Sequence, residues 1–337
     1  MSAREHIIPV FVPHWGCPND CVFCNQRRIT GQRVSATAET VKTAIENAAL
    51  LPAGVKRQLA FYGGSFTAIP AAEQEELLSA GKAALDAGQI SAIRLSTRPD
   101  AVDGAVLCRL RRYGVETVEL GAQSMDGEVL RLSGRGHTPE DVERASRLLR
   151  EGGFRLILQM MTGLPGDSPE KDIATAERLI ALRPDGVRIY PTVIVRDTAL
   201  YDLWRSGRYA EHTVEEAVRV CARLLPLFEA AGIPVIRLGL NPTEELSGGG
   251  AVGGAYHPAL GELVKSRLCR ERLEETLSAL PGAKRVTLGV HPSLLSQMLG
   301  QKRENVRYLE GKYALLGLKI RPADVKKQEI AVLSVEN

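Results

Sequence analysis

The sequence predicts an α/β protein: a partial (βα)6-type barrel followed by a small C-terminal α/β module. Three observations carry this. Short apolar, β-rich runs alternate with amphipathic stretches of helical length up to about residue 240, the signature of βα units and a parallel sheet. No G-x-G-x-x-G comes after the first run, which disfavours a doubly wound dinucleotide-binding sheet. Beyond residue 240 the stretch NPTEELSGGGAVGGAYHP has no periodicity, and the segment C-terminal to it is basic.

Taken in order, strands are expected at IIPVFV (7–12), QLAFY (58–62), AIRLS (92–96), VETVEL (115–120), FRLILQM (154–160), GVRIYP (186–191) and IPVIRLGL (233–240). Helix starts are marked between them. Thr138-Pro139 and Ser168-Pro169 each pair an N-cap with proline at the first helical position. Thr213 and Glu216 make a capping box before an apolar run. The domain reading is a barrel over 1–240, a glycine-rich linker or loop over 241–258, and a basic module over 259–337. In the module a helix at about 259–280 precedes a strand (284–290), a helix (292–300) and two more strands.

The 337 residues suffice for one large domain and a smaller one. Hydrophobic content of 44% and charged content of 25% are ordinary for a globular protein. The N-terminal apolar run is six residues long, too short for a signal-peptide core, and no run approaches a membrane span. A cytoplasmic location is expected, and six cysteines without a pairing pattern suit a reducing compartment. The net charge of +3 is uneven. Residues 284–337 hold ten lysines and arginines against five acids, a net of +5, leaving −2 for the rest. A basic module on a near-neutral body points to a polyanion such as RNA, or to an ordinary solvated surface.

The chemistry is concentrated after the first strand, in GCPNDCVFCNQ (16–26). Cys17, Cys21 and Cys24 have a C-x3-C-x2-C spacing that can hold three corners of a [4Fe–4S] cluster and leave the fourth iron open for a ligand. A structural zinc needs four ligands, usually two separated pairs. Cys108, Cys221 and Cys269 are scattered, although His14 could serve as a fourth ligand. Spacing alone therefore favours the cluster without excluding zinc.

Barrel chemistry belongs at the C-terminal ends of the strands. There the sequence places GGSF (63–66), STRPD (96–100), ELGAQS (119–124), GRGHT (134–138), QMMTGLPGD (159–167) and the segment from Arg188 to Tyr209 beginning RIYPT. With the cysteine triad, this ordered set resembles the radical S-adenosylmethionine (radical SAM) enzymes, most closely the radical domain of the Elongator catalytic subunit family. Oxygen-independent coproporphyrinogen oxidases share a looser version. The resemblance spans residues 6–240 and is specific as a set.

The resemblance implies a [4Fe–4S] cluster on Cys17, Cys21 and Cys24, with S-adenosylmethionine on the open iron. One-electron reductive cleavage then yields a 5′-deoxyadenosyl radical. It implies that Gly63, Gly64 and Ser65 receive the methionine amino group and that Arg135 pairs the carboxylate. Gln123 and Gln159 would reach the ribose or adenosine hydroxyls, with Ser96 at another ligand-facing strand end. Tyr190, Tyr201 and Trp204 could line a substrate mouth, although Tyr201 and Trp204 at i, i+3 also suit helix packing. The implied reaction is a transferase-type modification of tRNA at a wobble uridine, with a flavodoxin- or ferredoxin-like electron donor. Nothing here resembles the phosphate loop for the family's acetyl-coenzyme A, so only the radical half carries over. The other substrate reading is a small metabolite, as in coproporphyrinogen oxidases.

Overall fold

The computed structural model describes residues 5–12, 17, 19–25, 36–49, 55–243 and 246–337. The chain forms two compact units, Met1–Pro258 and Ala259–Asn337.

The first unit is built on β1 (Glu5–Val12), β2 (Lys56–Gly63), β3 (Ala92–Thr97), β4 (Val115–Gln123), β5 (Arg155–Thr162), β6 (Gly186–Pro191) and β8 (Val235–Leu238). A short β7 (Val193–Val195) lies outside this sheet. The seven strands pair in parallel in the order β1-β2-β3-β4-β5-β6-β8, a curled half-barrel of the expected α/β class. The inner strands are buried on both faces, as their near-continuous apolar sequences require, whereas the edge strands β1 and β8 are partly exposed. Leu59, Ile93, Leu95, Val118, Leu120, Leu156 and Leu158 are all fully buried. Helices α1 (Ala38–Ala49), α2 (Ala71–Asp86), α3 (Gly104–Arg112), α4 (Gly127–Leu132), α5 (Pro139–Glu151), α6 (Pro169–Ala181), α7 (Ala199–Arg205) and α8 (Val214–Ala230) lie between the strands in sequence.

The cap signals operate as read. Thr138 and Asp141 form a reciprocal capping box ahead of Pro139, Ser168 accepts from Lys171 N ahead of Pro169, and Thr213 and Glu216 form a second box.

Three features differ from the sequence reading. β4 does not stop at Leu120 but runs on through Gln123, with a register shift between Gly121 and Gln123. The strand thus carries its C-terminal end into the site. The stretch expected as a linker or loop supplies β9 (Ala251–Gly254), antiparallel to β7 within the first unit. Glycine permits that pairing: Gly254 has φ +80°, and a Cβ there would stand 2.6 Å from the Thr192 carbonyl oxygen. The last strand of the parallel sheet, β8, is also shorter than the expected 233–240.

The second unit packs α9 (Leu260–Ser278), α10 (Leu295–Leu299) and α11 (Glu304–Lys312) on a three-stranded sheet. Its central β10 (Arg285–Val290) pairs in parallel with β11 (Gly317–Pro322) and antiparallel with β12 (Ile330–Glu336). Leu273, Val286, Leu288, Met298, Leu309 and Leu318 form its core. The expected helix at 292–300 is a 3-10 turn (Pro292–Leu294) leading into α10, and α11 was not anticipated. No helix among the described residues is long and apolar enough to cross a membrane.

Candidate active site

The ten residues singled out as cluster or S-adenosylmethionine ligands converge. Cys17, Cys21, Cys24, Gly63, Gly64, Ser65, Ser96, Gln123, Arg135 and Gln159 all line one cavity at the C-terminal ends of β2 to β5. Asn19, Asp20, Phe23, Thr97, Arg98 and Gly121 complete its wall.

The cysteine loop is pinned on both sides by main-chain bonds. Val22 N donates to Ser133 O at 3.0 Å, and Val22 O accepts from Leu200 N at 2.7 Å, at the start of α7. Phe23 and Val22 pack with Ile194, Leu200 and Tyr209, joined by Tyr201 and Trp204, whose rings lie 6.1 Å apart. Tyr201 and Trp204 therefore support the cysteine loop by packing. A side-chain contact against a glycine holds the far side of the loop. Gly136 (φ +70°) leaves room only for the Asn19 side chain, which a Cβ would strike.

Individual contacts give the wall its chemistry. Cys17 Sγ lies 3.4 Å from Ser65 Oγ. Arg135 donates through Nη1 to Cys21 Sγ at 3.3 Å and through Nη2 to Gly121 O at 2.8 Å. Its buried Nε has no partner among the described residues. The arginine expected to face a carboxylate thus uses one N–H of each terminal nitrogen on a cysteine and the β4 backbone, and keeps its remaining N–H groups for a ligand. Arg98 holds the Arg135 carbonyl and is itself tied to Asp100 at 2.9 Å.

Gln123 sits at φ +64°, an uncommon conformation for a non-glycine residue, and its buried Oε1 is unpartnered among the described residues. Next to it, His137 Nε2 lies 3.2 Å from Ala122 O, which requires that nitrogen to carry the proton. Burial, reinforced by the Arg135 charge, pulls the His137 pKa down to about 4, so the ring is neutral.

Beneath the cavity lies a network that the sequence reading did not single out. Glu119 is fully buried and accepts from Arg94 Nη2 at 2.6 Å, Tyr62 OH at 2.7 Å, Gln159 Nε2 at 3.0 Å and Arg188 Nη2 at 3.2 Å. The Arg188 guanidinium lies against the carboxylate, with its Nε 2.8 Å from Glu119 Oε2. Burial pushes the Glu119 carboxyl up, but the Arg188 and Arg94 guanidiniums outweigh this and hold it below the usual range. Burial, with the Glu119 charge adding to it, raises the Tyr62 phenol well above its ordinary value. Because Gln159 Nε2 donates to Glu119, the amide presents its oxygen elsewhere, and the cavity it lines is the available place. The signal for this network was in the sequence: a single charge at a core-facing position in each of the runs AIRLST, VETVELGAQ and GVRIYP.

The wall fits a cluster better than a single ion. Among the described residues no three His, Cys, Asp or Glu side chains gather tightly enough to hold one metal ion. A four-iron cluster instead takes each thiolate on a separate iron, and three thiols converging on one cavity match that need. His14, the fourth ligand of the zinc alternative, lies outside the described residues.

Comparison with known proteins agrees in both sequence and fold. The Radical SAM superfamily model matches residues 12–179, and the Radical_SAM C-terminal domain model matches residues 184–270. Human Elongator complex protein 3 is 38% identical over 138 residues, covering 40% of this chain and 25% of that protein. The tRNA uridine(34) acetyltransferase of Dehalococcoides mccartyi is 40% identical over 121 residues, covering 35% and 26%. The chain thus aligns with about a quarter of the length of these relatives. Among solved structures, Methanocaldococcus infernus Elp3 superposes with a TM-score of 0.61 at 22% identity, covering 80% of this chain and 64% of that one. Escherichia coli coproporphyrinogen III oxidase gives 0.50 at 20%, covering 68% and 53%. At these identities the structural likeness speaks to fold alone. The two matched models and the fold place the chain in the radical SAM superfamily of enzymes.

Proposed function

We propose that the chain is a radical enzyme acting on tRNA, at a wobble-type uridine, with a [4Fe–4S] cluster held by Cys17, Cys21 and Cys24. The observation that carries this is the single cavity that gathers the cysteine triad with Ser65, Gln123, Arg135 and Gln159. The cofactor pair would supply one-electron reductive cleavage of S-adenosylmethionine to a 5′-deoxyadenosyl radical. The chain's own residues bind and orient. Gly63, Gly64 and Ser65 offer backbone and hydroxyl to the methionine end. Arg135 would offer the methionine carboxylate the N–H groups not engaged by Cys21 or Gly121. Gln123 Oε1, Gln159 and Ser96 offer polar contacts to the ribose. The network around the fully buried Glu119 keeps the floor of the site fixed.

The tRNA reading is supported by the relatives named for that substrate and by the basic second unit, where Lys302, Arg303 and Arg307 are exposed. A metabolite substrate has only fold-level likeness behind it. An electron donor of the flavodoxin or ferredoxin kind belongs to the same proposal.

The test is anaerobic. The reconstituted protein should hold about four irons per chain and form 5′-deoxyadenosine from S-adenosylmethionine and a reductant. Bulk tRNA should bind in a salt-sensitive manner, weakened by charge reversal at Lys302, Arg303 and Arg307. No tRNA binding at low salt removes the RNA reading, and a colourless, iron-free protein removes the radical one.

A further inference from the structure

The line of side chains that crosses the sheet at Gln159 continues past the cavity. Register places Gly121, Gln159, Arg188 and Arg237 in one row across β4, β5, β6 and β8. Side chains in one row of a parallel sheet share a face. Gly121 and Gln159 line the cavity, so Arg188 and Arg237 stand on the same face, about 5 and 10 Å further on at the usual strand spacing.

Charge on this face is out of balance. Arg94, Arg188 and Arg237 project from the strands, against the Glu119 carboxylate. Glu119 is already shared between Arg94 at 2.6 Å and Arg188 at 2.8 Å. Arg237 is half-buried and has no ion pair or hydrogen bond among the described residues. Its charge nevertheless acts on the buried Tyr190 phenol, beside Arg188. Partly desolvating a guanidinium without a counter-charge is costly. Two neighbouring guanidiniums that share less than one carboxylate are suited to a dianion, and the guanidinium fork matches phosphate oxygens pairwise.

We propose that Arg237, with Arg188 beside it, forms a subsite for a phosphate group of the substrate next to the reaction cavity. The subsite rests on the reading of the Gln159 cavity as the reaction site. It names the substrate class that site would take: a nucleotide unit whose phosphate is held two strands beyond Gln159. Arg188 is locked by Glu119 and Tyr62 and serves as the fixed half, while Arg237 is the half free to close on the ligand.

The full chain is titrated calorimetrically at low ionic strength with uridine, with uridine 5′-monophosphate and with a short stem-loop RNA. The unaltered protein, Arg237→Gln and Arg237→Lys are compared. The expected result is that Arg237→Gln weakens at least one phosphate-bearing probe about tenfold, the worth of one charge-assisted contact, and leaves uridine unchanged. Arg237→Lys should retain an intermediate affinity. Loss confined to the RNA assigns the subsite to an internal phosphodiester, and loss for the mononucleotide assigns it to a terminal phosphate. No loss for either probe overturns the subsite. These titrations need no cluster and no turnover, so failure of S-adenosylmethionine cleavage by the unaltered protein sinks the radical reading separately.

Discussion

The two sides of the cavity-bearing face are built on opposite principles. On the cysteine side, thiols, hydroxyls and glycine backbone meet with few mutual bonds, and Gln123 Oε1 and Arg135 Nε are left without partners among the described residues. Beneath it, Tyr62, Arg94, Glu119, Gln159 and Arg188, one from each of β2 to β6, satisfy one another in a network around the buried Glu119. One side is prepared to receive ligands, and the other is prepared not to move. A site for a reactive radical needs both: unsatisfied groups bind, and a rigid floor keeps the bound parts in register.

Breaking each side should therefore fail differently. The largest effect is expected from Cys17→Ala, Cys21→Ala or Cys24→Ala, each abolishing 5′-deoxyadenosine formation and lowering bound iron while the thermal midpoint of the apo-protein changes little. Glu119→Ala should do the reverse. It strands Arg94 and Arg188 in the core, a loss of about 3–5 kcal/mol visible in chemical denaturation. Glu119→Ala with unchanged stability would show that the network is not the rigid floor.

Gly136→Ala tests the joint between the two sides. It forces Asn19 aside at a left-handed position and should cost about 1–3 kcal/mol, with a measurable loss of iron retention. The smallest effect is a pH effect. His137 has a folded pKa of about 4, below its unfolded value near 6.5. Its contribution to stability is therefore complete above the unfolded value and is lost as pH falls through the window from about 6.5 to about 4. In His137→Gln, that limb of the stability-versus-pH curve should flatten; an unchanged slope would place the proton elsewhere.

The same contrast explains what could be read in advance. The cysteine side is local: Cys17, Cys21 and Cys24 occupy eight consecutive residues, and the other ligand candidates fall at the ends of readable strands, so spacing and motif order suffice. The Glu119 network is not local. Tyr62, Arg94, Glu119, Gln159 and Arg188 come from five strands and meet only once register and alternation are fixed. A lone charge in an apolar run announces a buried partner but not which one. The extension of β4 to Gln123 was hidden by its glycine and polar residues, which read as a turn. The pairing of β7 with β9 was hidden because glycine-rich sequence reads as linker until a neighbouring strand needs the space.

The most direct test of the cluster assignment is the electron paramagnetic resonance spectrum of the anaerobically reconstituted, dithionite-reduced protein, with and without S-adenosylmethionine. Three cysteine ligands and one open iron predict a reduced [4Fe–4S] signal that shifts when S-adenosylmethionine is added and is lost in Cys21→Ala. A cluster signal indifferent to S-adenosylmethionine, or one that persists in Cys21→Ala, contradicts it.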